Sequence, residues 1–328
     1  MPHSQPLPNQ KLCKAAPPLN FKAPRRARAT MFQFKVKQKT FKIGDVAVGG
    51  IPGERPTVLV GSIFYEGETL VKDSKLGKFD KERAEEYIKL QEEYSDRTGN
   101  PHMVDVGGST REAVRKFLDF TSSATDAPIL LGASSPEIRM AGLDYAKETG
   151  IRNPIVYNSI LPSCRPKELE KIKESGVKSA VLMAFDGRSL TSAGRVRAVK
   201  EVLPAAQAAG VEQPLIDTAV IDIPSLGSAS RALLELKSEL GFPAGCGTYN
   251  AIRTWRGLKT KFSEARRPCA ASANALPAAL GADFLVYGPI EYAKYVFPAV
   301  ALVDAALAHL AIERGARVDK SHPLFKIP

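Results

Sequence analysis

At 328 residues, with 44% hydrophobic and 25% charged side chains, the chain has the composition of a globular protein able to bury one large core, which excludes a disordered or fibrous class. Its formal net charge of +11 sits largely at one end: Lys11, Lys14, Lys22, Arg25, Arg26 and Arg28 meet no acid before Met31, leaving 40 basic against 35 acidic residues in the rest. That balance, without an aromatic-interleaved basic patch or a recognition motif, argues against a nucleic-acid partner.

Residues 1–30 carry six prolines and no hydrophobic period, so they are expected to form a disordered or extended basic arm, with the folded domain over 31–328. A transit peptide would also be Arg-rich and acid-free, but a single serine and no amphipathic helix fit it poorly. "GGIPG" at 49–53 precedes the first strand pattern and therefore reads as a turn, not a phosphate loop.

From there strand and helix patterns alternate. "TVLVGS" (57–62) is followed by "FDKERAEEYIKLQEEYSDRTG", where Asp80 can cap a helix that Gly99 ends. "HMVDVGG" precedes a helix from about Thr110, "PILLGAS" one opening at Ser135-Pro136, and "PIVYNSI" the helix "PKELEKIKESG". "SAVLMAF" follows; then "PLIDTAV" leads to "SASRALLELKSELG", "PAGCGTYN" to "AIRTWRGLKTKF", and "ADFLVYG" to a last helix from about Ile290. Asp304 and His309 interrupt that last apolar stretch, which argues for an amphipathic helix over a membrane span. Eight short apolar strands, each followed by helical sequence, predict a (β/α)8 TIM barrel in the α/β class.

In a barrel the C-terminal strand ends share one pocket. Those ends are Ser62, Asp105, Gly132 with Ser134 and Ser135, Asn158, Phe185 with Asp186, Asp217, Asn250 and Gly288. No lysine ends a strand, which excludes a Schiff-base aldolase, and one tryptophan is too few for a sugar platform. Cys13, Cys164, Cys246 and Cys269 stand far apart and only four histidines are present, so a metal site is not expected and a reduced, cytoplasmic setting fits best. Asp222 and Asp186 are explained as a cap and a turn. Asp105, Asn158 and Asp217 interrupt apolar strands and need partners if buried. An ionised carboxylate can accept two parallel N–H bonds and a carboxamide both donates and accepts, a combination suited to a heterocycle with an amidine-like edge such as a pterin.

The motifs "GGIPGERPTVLVGSIFY", "IVYNSI", "LIDTAV", "FLVYGPIE" and "HPLFKI" resemble the H-subunit family of tetrahydromethanopterin S-methyltransferase and the related methyltetrahydrofolate:corrinoid methyltransferases. The resemblance covers 31–328. It implies a barrel that moves a methyl group between N5 of a tetrahydropterin, tetrahydromethanopterin or tetrahydrofolate, and the cobalt of a corrinoid (cobalamin-type) cofactor held by a partner protein. Barrels of this kind commonly pair, so a homodimer is expected, either free in the cytoplasm or attached peripherally to a membrane-bound methyltransferase complex. Carried over by residue, Asp105, Asn158 and Asp217 match positions that hold the pterin, while Asn250, with Asp217, matches a position supporting the proton at N5. Related sequences often have Asp-Ser where this chain has Gly132-Ala133, so Ser134 and Ser135 are expected to substitute in part for a missing carboxylate. The alternatives are a dihydropteroate-synthase-like enzyme, which needs basic residues for a pyrophosphate, and a non-catalytic barrel scaffold with a decayed site.

Overall fold

A computed structural model describes residues 31–65 and 67–328, so the arm expected over 1–30 lies outside the described residues. A two-stranded antiparallel hairpin, β1 (Thr40–Ile43) and β2 (Val46–Gly49), precedes the first barrel strand, β3 (Val58–Ile63). A small ribbon, β4 (Val71–Asp73) with β5 (Lys78–Phe79), is inserted before helix α1 (Lys81–Thr98). Then β6 (His102–Val106), α2 (Arg111–Ala124), β7 (Ile129–Leu131), α3 (Pro136–Thr149), β8 (Ile155–Ile160), α4 (Pro166–Ser175), β9 (Ser179–Met183) and α5 (Ser192–Ala208) alternate. The chain continues through β10 (Gln213–Asp217), α6 (Ile223–Leu240), β11 (Ala244–Gly247), short helices α7 (Tyr249–Thr254) and α8 (Arg256–Thr260), α9 (Arg266–Ala279), β12 (Phe284–Pro289), α10 (Ala293–Glu313) and α11 (Pro323–Lys326).

All eight expected strands are present and pair in parallel as a closed barrel, β3-β6-β7-β8-β9-β10-β11-β12 and back to β3. Local signals set the boundaries as read from sequence. Asp80 accepts the Arg83 N–H at the start of α1, Gly99 closes it in the left-handed region, and Asp222 caps α6 with Ser225 in a reciprocal box.

The hairpin is a floor. Its Ile43, Val46 and Val48 pack with Val58, Val60, Met103, Leu130, Val156, Val181, Leu215 and Phe284 in one buried cluster that fills the lower barrel. "GGIPG" is the turn from this floor into β3, and Gly53 explains its glycines: with φ +86, an added Cβ would lie 2.3 Å from the Leu307 carbonyl oxygen. The Lys237 ammonium, fully buried, closes the same end by contacting Asp283 at 2.5 Å and the Gly50 carbonyl at 3.1 Å.

One helical stretch among the described residues, Ile290–Glu313, is long and apolar enough to cross a membrane. In this fold it includes α10, and its Asp304 accepts the Thr57 N–H at 2.9 Å, the Thr57 hydroxyl at 2.8 Å and the Asn100 amide at 2.6 Å. Those bonds pin the helix to the start of β3.

Candidate functional site

Strand alternation assembles the site. The floor cluster fixes which face of each strand looks inward, and two residues further along the same face stand Ser62, Asp105, Gly132, Asn158, Met183, Asp217 and Val286. The lower layer is apolar and the layer above it is largely polar.

Asp105 is the centre of one half. Its Oδ2 accepts the Ser62 hydroxyl at 2.8 Å and its Oδ1 accepts the Asn158 amide at 3.0 Å. Burial pushes its carboxyl above the usual range, against those two bonds. One N–H of the Asn158 amide is used on Asp105, which leaves its Oδ1 and its second N–H for a ligand. A cavity of about 390 Å³ opens here, walled by Tyr65, Asp105, Gly132, Ser134, Arg139 and Asn158.

Asp217 is the centre of the other half. It is 8% exposed, and burial pushes its carboxyl up to about 6, against backbone N–H bonds from Ala219 (2.7 Å to Oδ1) and Gly247; the Asp105 charge pushes the same way as burial. Gly247 is a wall of a second cavity, of about 300 Å³, which shares Tyr65 with the first and is also lined by Ser62, Tyr249, Asn250 and Arg253. A Cβ added at Gly247 would meet only the Asp217 Oδ2, at 3.8 Å, so the glycine leaves that carboxylate approachable from this side.

Three expectations change in detail. Asn250 does not end a strand: β11 stops at Gly247, and Asn250 lies in the first turn of α7, where its amide donates to the Val220 carbonyl at 2.9 Å and its Oδ1 accepts from the Arg253 guanidinium at 3.5 Å. Ser134 lines the first cavity, whereas Ser135 starts α3 and its hydroxyl bonds the Glu137 side chain. On β9 the inward residue is Met183; Asp186 lies beyond the strand, where it accepts the Arg188 N–H and pairs with its guanidinium.

Several contributors carry no local signal. Tyr65 follows Phe64, which is held at φ +64 with its N–H on the Glu68 carboxylate at 2.5 Å and its ring stacked on Phe117. Burial pushes the Glu68 carboxyl up to about 8. Ala219, at φ +58, is the other non-glycine residue in the left-handed region among the described residues, and it follows Asp217 by two. Such positions cost about 1–3 kcal/mol each and persist where surroundings hold them. Here the holder is Arg195, fully buried, whose guanidinium donates to the Thr218 carbonyl at 2.5 Å, the Ala219 carbonyl at 2.9 Å, the Ser228 hydroxyl at 3.1 Å and the Leu190 carbonyl.

Fold and inner surface define a (β/α)8 barrel with a preformed polar chamber at its C-terminal mouth and a sealed floor. The chain belongs to the tetrahydromethanopterin S-methyltransferase MtrH subunit family, whose model matches residues 36–318. It is 38% identical to the H subunit of the tetrahydromethanopterin S-methyltransferase of Methanothermobacter thermautotrophicus, covering 90% of this chain and 100% of that one. It is 34% identical to the H subunit of a putative mtx methyltransferase of Methanosarcina mazei, over 90% and 99%. Membership makes it a methyltransferase subunit. Among solved structures, Yersinia pestis dihydropteroate synthase with a pterine-sulfa conjugate shares the fold at a TM-score of 0.60 and 14% identity, covering 85% of this chain and 100% of that one. The Xanthomonas albilineans dihydropteroate synthase with 7,8-dihydropteroate matches at 0.52 and 19%, over 82% and 98%.

Proposed function

We propose that this protein binds a methyl-tetrahydropterin in the barrel mouth and passes its N5 methyl group to the cobalt of a corrinoid carried by a partner protein, or the reverse. The observation that carries the proposal is the set of acceptors at the barrel mouth: the Asp105 and Asp217 carboxylates, which take donors from Asn158 and Ala219, with the Asn158 Oδ1 and the Asn250 Oδ1, whose own amide donates to the Val220 carbonyl. Such a set fits a ligand rich in N–H groups. A tetrahydropterin offers the 2-amino group, N3–H and N8–H, and the last exists only in the reduced ring. The names of the relatives support the same substrate class.

Asp105 and Asn158 orient the ring, and Asp217 receives its amidine-like edge. Asn250 presents Oδ1, because the Val220 carbonyl fixes its nitrogen on the far side, and a carbonyl acceptor stabilises a protonated N5. An N5 carrying a proton is a far better leaving group than a neutral tertiary amine. The corrinoid, when docked on its own protein, supplies the low-valent cobalt nucleophile. This chain's task is therefore position and proton placement. The homodimer and the peripheral attachment to a membrane-bound complex belong to the same proposal.

Asn250→Ala is expected to slow methyl transfer about a hundredfold, the lower end of what proton placement contributes, while pterin affinity falls much less. Stopped-flow transfer to a free corrinoid, with calorimetry alongside, checks it; a rate within twofold of wild type would remove Asn250 from the N5 role.

Gly132 is compatible with this site. An added Cβ there would stand 3.2 Å from the Asp105 Oδ1 and 3.7 Å from the Asn158 Nδ2, so the place a carboxylate would take from Gly132 borders one that Asp105 already supplies. Gly132→Asp should therefore weaken pterin binding by about tenfold or more through crowding and like-charge repulsion. Tighter binding in that variant would mean that the site lacks an acid.

A further inference from the structure

Arg253 lines the second cavity, is exposed, and forms no ion pair among the described residues; its Nη2 donates to the Asn250 Oδ1 at 3.5 Å, one helical turn back on α7. It opens a run of bases on the mouth side of the barrel, "RTWRGLKTKFSEARR", in which Arg253, Arg256, Lys259, Lys261, Arg266 and Arg267 face one acid, Glu264. None of the six is ion-paired at salt-bridge distance among the described residues. Arg266 instead donates to the Tyr249 hydroxyl at 2.7 Å, and Glu291, half-buried, is an acid whose charge it and Arg267 feel.

Chemistry gives this run a location relative to the ligand. In a tetrahydropterin, C6 is bonded directly to N5, and C6 carries the arm that leads through an aryl group to an anionic end: carboxylates in tetrahydrofolate, a phosphate and carboxylates in tetrahydromethanopterin. If Asn250 sits at N5, the arm must leave beside Asn250, which is where Arg253 stands. Tyr65 and Tyr249, walls of the same cavity, flank the path of the aryl group.

We infer that the α7–α9 segment, led by Arg253, is a binding site for the anionic end of the C6 arm. The inference rests on the pterin reading above and adds the part of the substrate that the barrel strands do not touch. The ring is read by acceptors inside the barrel, and the arm by cations on its rim. A carboxylate and a phosphate present the same chemistry to an arginine fork.

The test is calorimetry of wild type and Arg253→Gln with three ligands: 5-methyl-tetrahydrofolate, 5-methyl-tetrahydromethanopterin, and armless 5,6-dimethyl-tetrahydropterin. Arg253 is exposed, so the fold should survive, and a melting curve checks this. The expected result is that the variant loses about tenfold in affinity for an arm-bearing ligand, the value of one charge-assisted bond, and less than twofold for the armless one. Wild-type affinity for the arm-bearing ligand should also fall more steeply with salt. The ligand that suffers more identifies which anion the rim reads. Equal losses for armed and armless ligands, or none for either, would overturn the inference and leave the pterin site standing. Wild type binding none of the three would sink the pterin reading, and this inference with it.

Discussion

Asp217→Asn should weaken methyl-tetrahydropterin binding about a thousandfold, because the change reverses a donor–acceptor match without altering shape. The backbone N–H groups of Ala219 and Gly247 both aim at this side chain. With the Ala219 bond kept on Oδ1, the new amide nitrogen must face the ligand, setting N–H against N–H in a buried place where neither finds water. Sites built around a hydrogen bond commonly reject a mismatched partner by this much or more. A pH dependence belongs to the same group. Its carboxyl titrates at about 6, so affinity should fall by up to tenfold per unit as pH drops below 6, and Asp217→Asn should flatten that limb. For folding the sign reverses: a carboxyl raised from its usual value binds protons more tightly in the native state, so this group's contribution to stability diminishes as pH rises from about 4 to about 6. Binding calorimetry and thermal unfolding from pH 4 to 8 decide both points. Binding by the variant within threefold of wild type would show that Asp217 does not receive the ligand.

Arg195→Met is expected to cost about 4 kcal/mol of stability and to lower the melting temperature by roughly 6 °C. The guanidinium has no carboxylate partner within salt-bridge distance among the described residues; its bonds go to three carbonyls and a hydroxyl, and two of those carbonyls belong to Thr218 and Ala219. Removing it strands several buried acceptors, each worth about 1–3 kcal/mol, and frees Ala219 from its left-handed conformation. That segment positions Asp217, so pterin affinity should fall beyond what a uniformly destabilised but folded protein would show. Arg195→Lys, with fewer donors, should lie between the two in both measurements. If the methionine variant bound pterin normally at a temperature where it is folded, Arg195 would be a packing residue alone.

The sequence disclosed the barrel because each strand is an apolar run bounded by turn residues, and eight such runs leave few ways to close a sheet. Asp105, Asn158 and Asp217 stood out for a related reason: a polar residue interrupting a buried strand must be partnered or useful. Asn250 was harder to place, since the apolar run "PAGCG" stops before a short helix whose Thr248 makes no side-chain cap bond. Arg195, Arg139 and Tyr65 were illegible. Arg195 and Arg139 sit within helical sequence that reads as ordinary surface pattern, and their roles arise from carbonyls and side chains brought to them by other parts of the chain: Thr218 and Ala219 for Arg195, Ala133, Tyr157 and Glu168 for Arg139. Tyr65 depends on the turn at Phe64, which a non-glycine residue gives no warning of.

The hairpin beneath the barrel has a kinetic consequence. With Ile43, Val46 and Val48 filling the lower end, the proposed function brings the corrinoid partner to the same mouth that the pterin would use. On that proposal, shared access imposes an order: the small molecule would have to enter before the protein partner covers it. A partner that arrived early would block the pterin, so an excess of it is expected to inhibit methyl transfer.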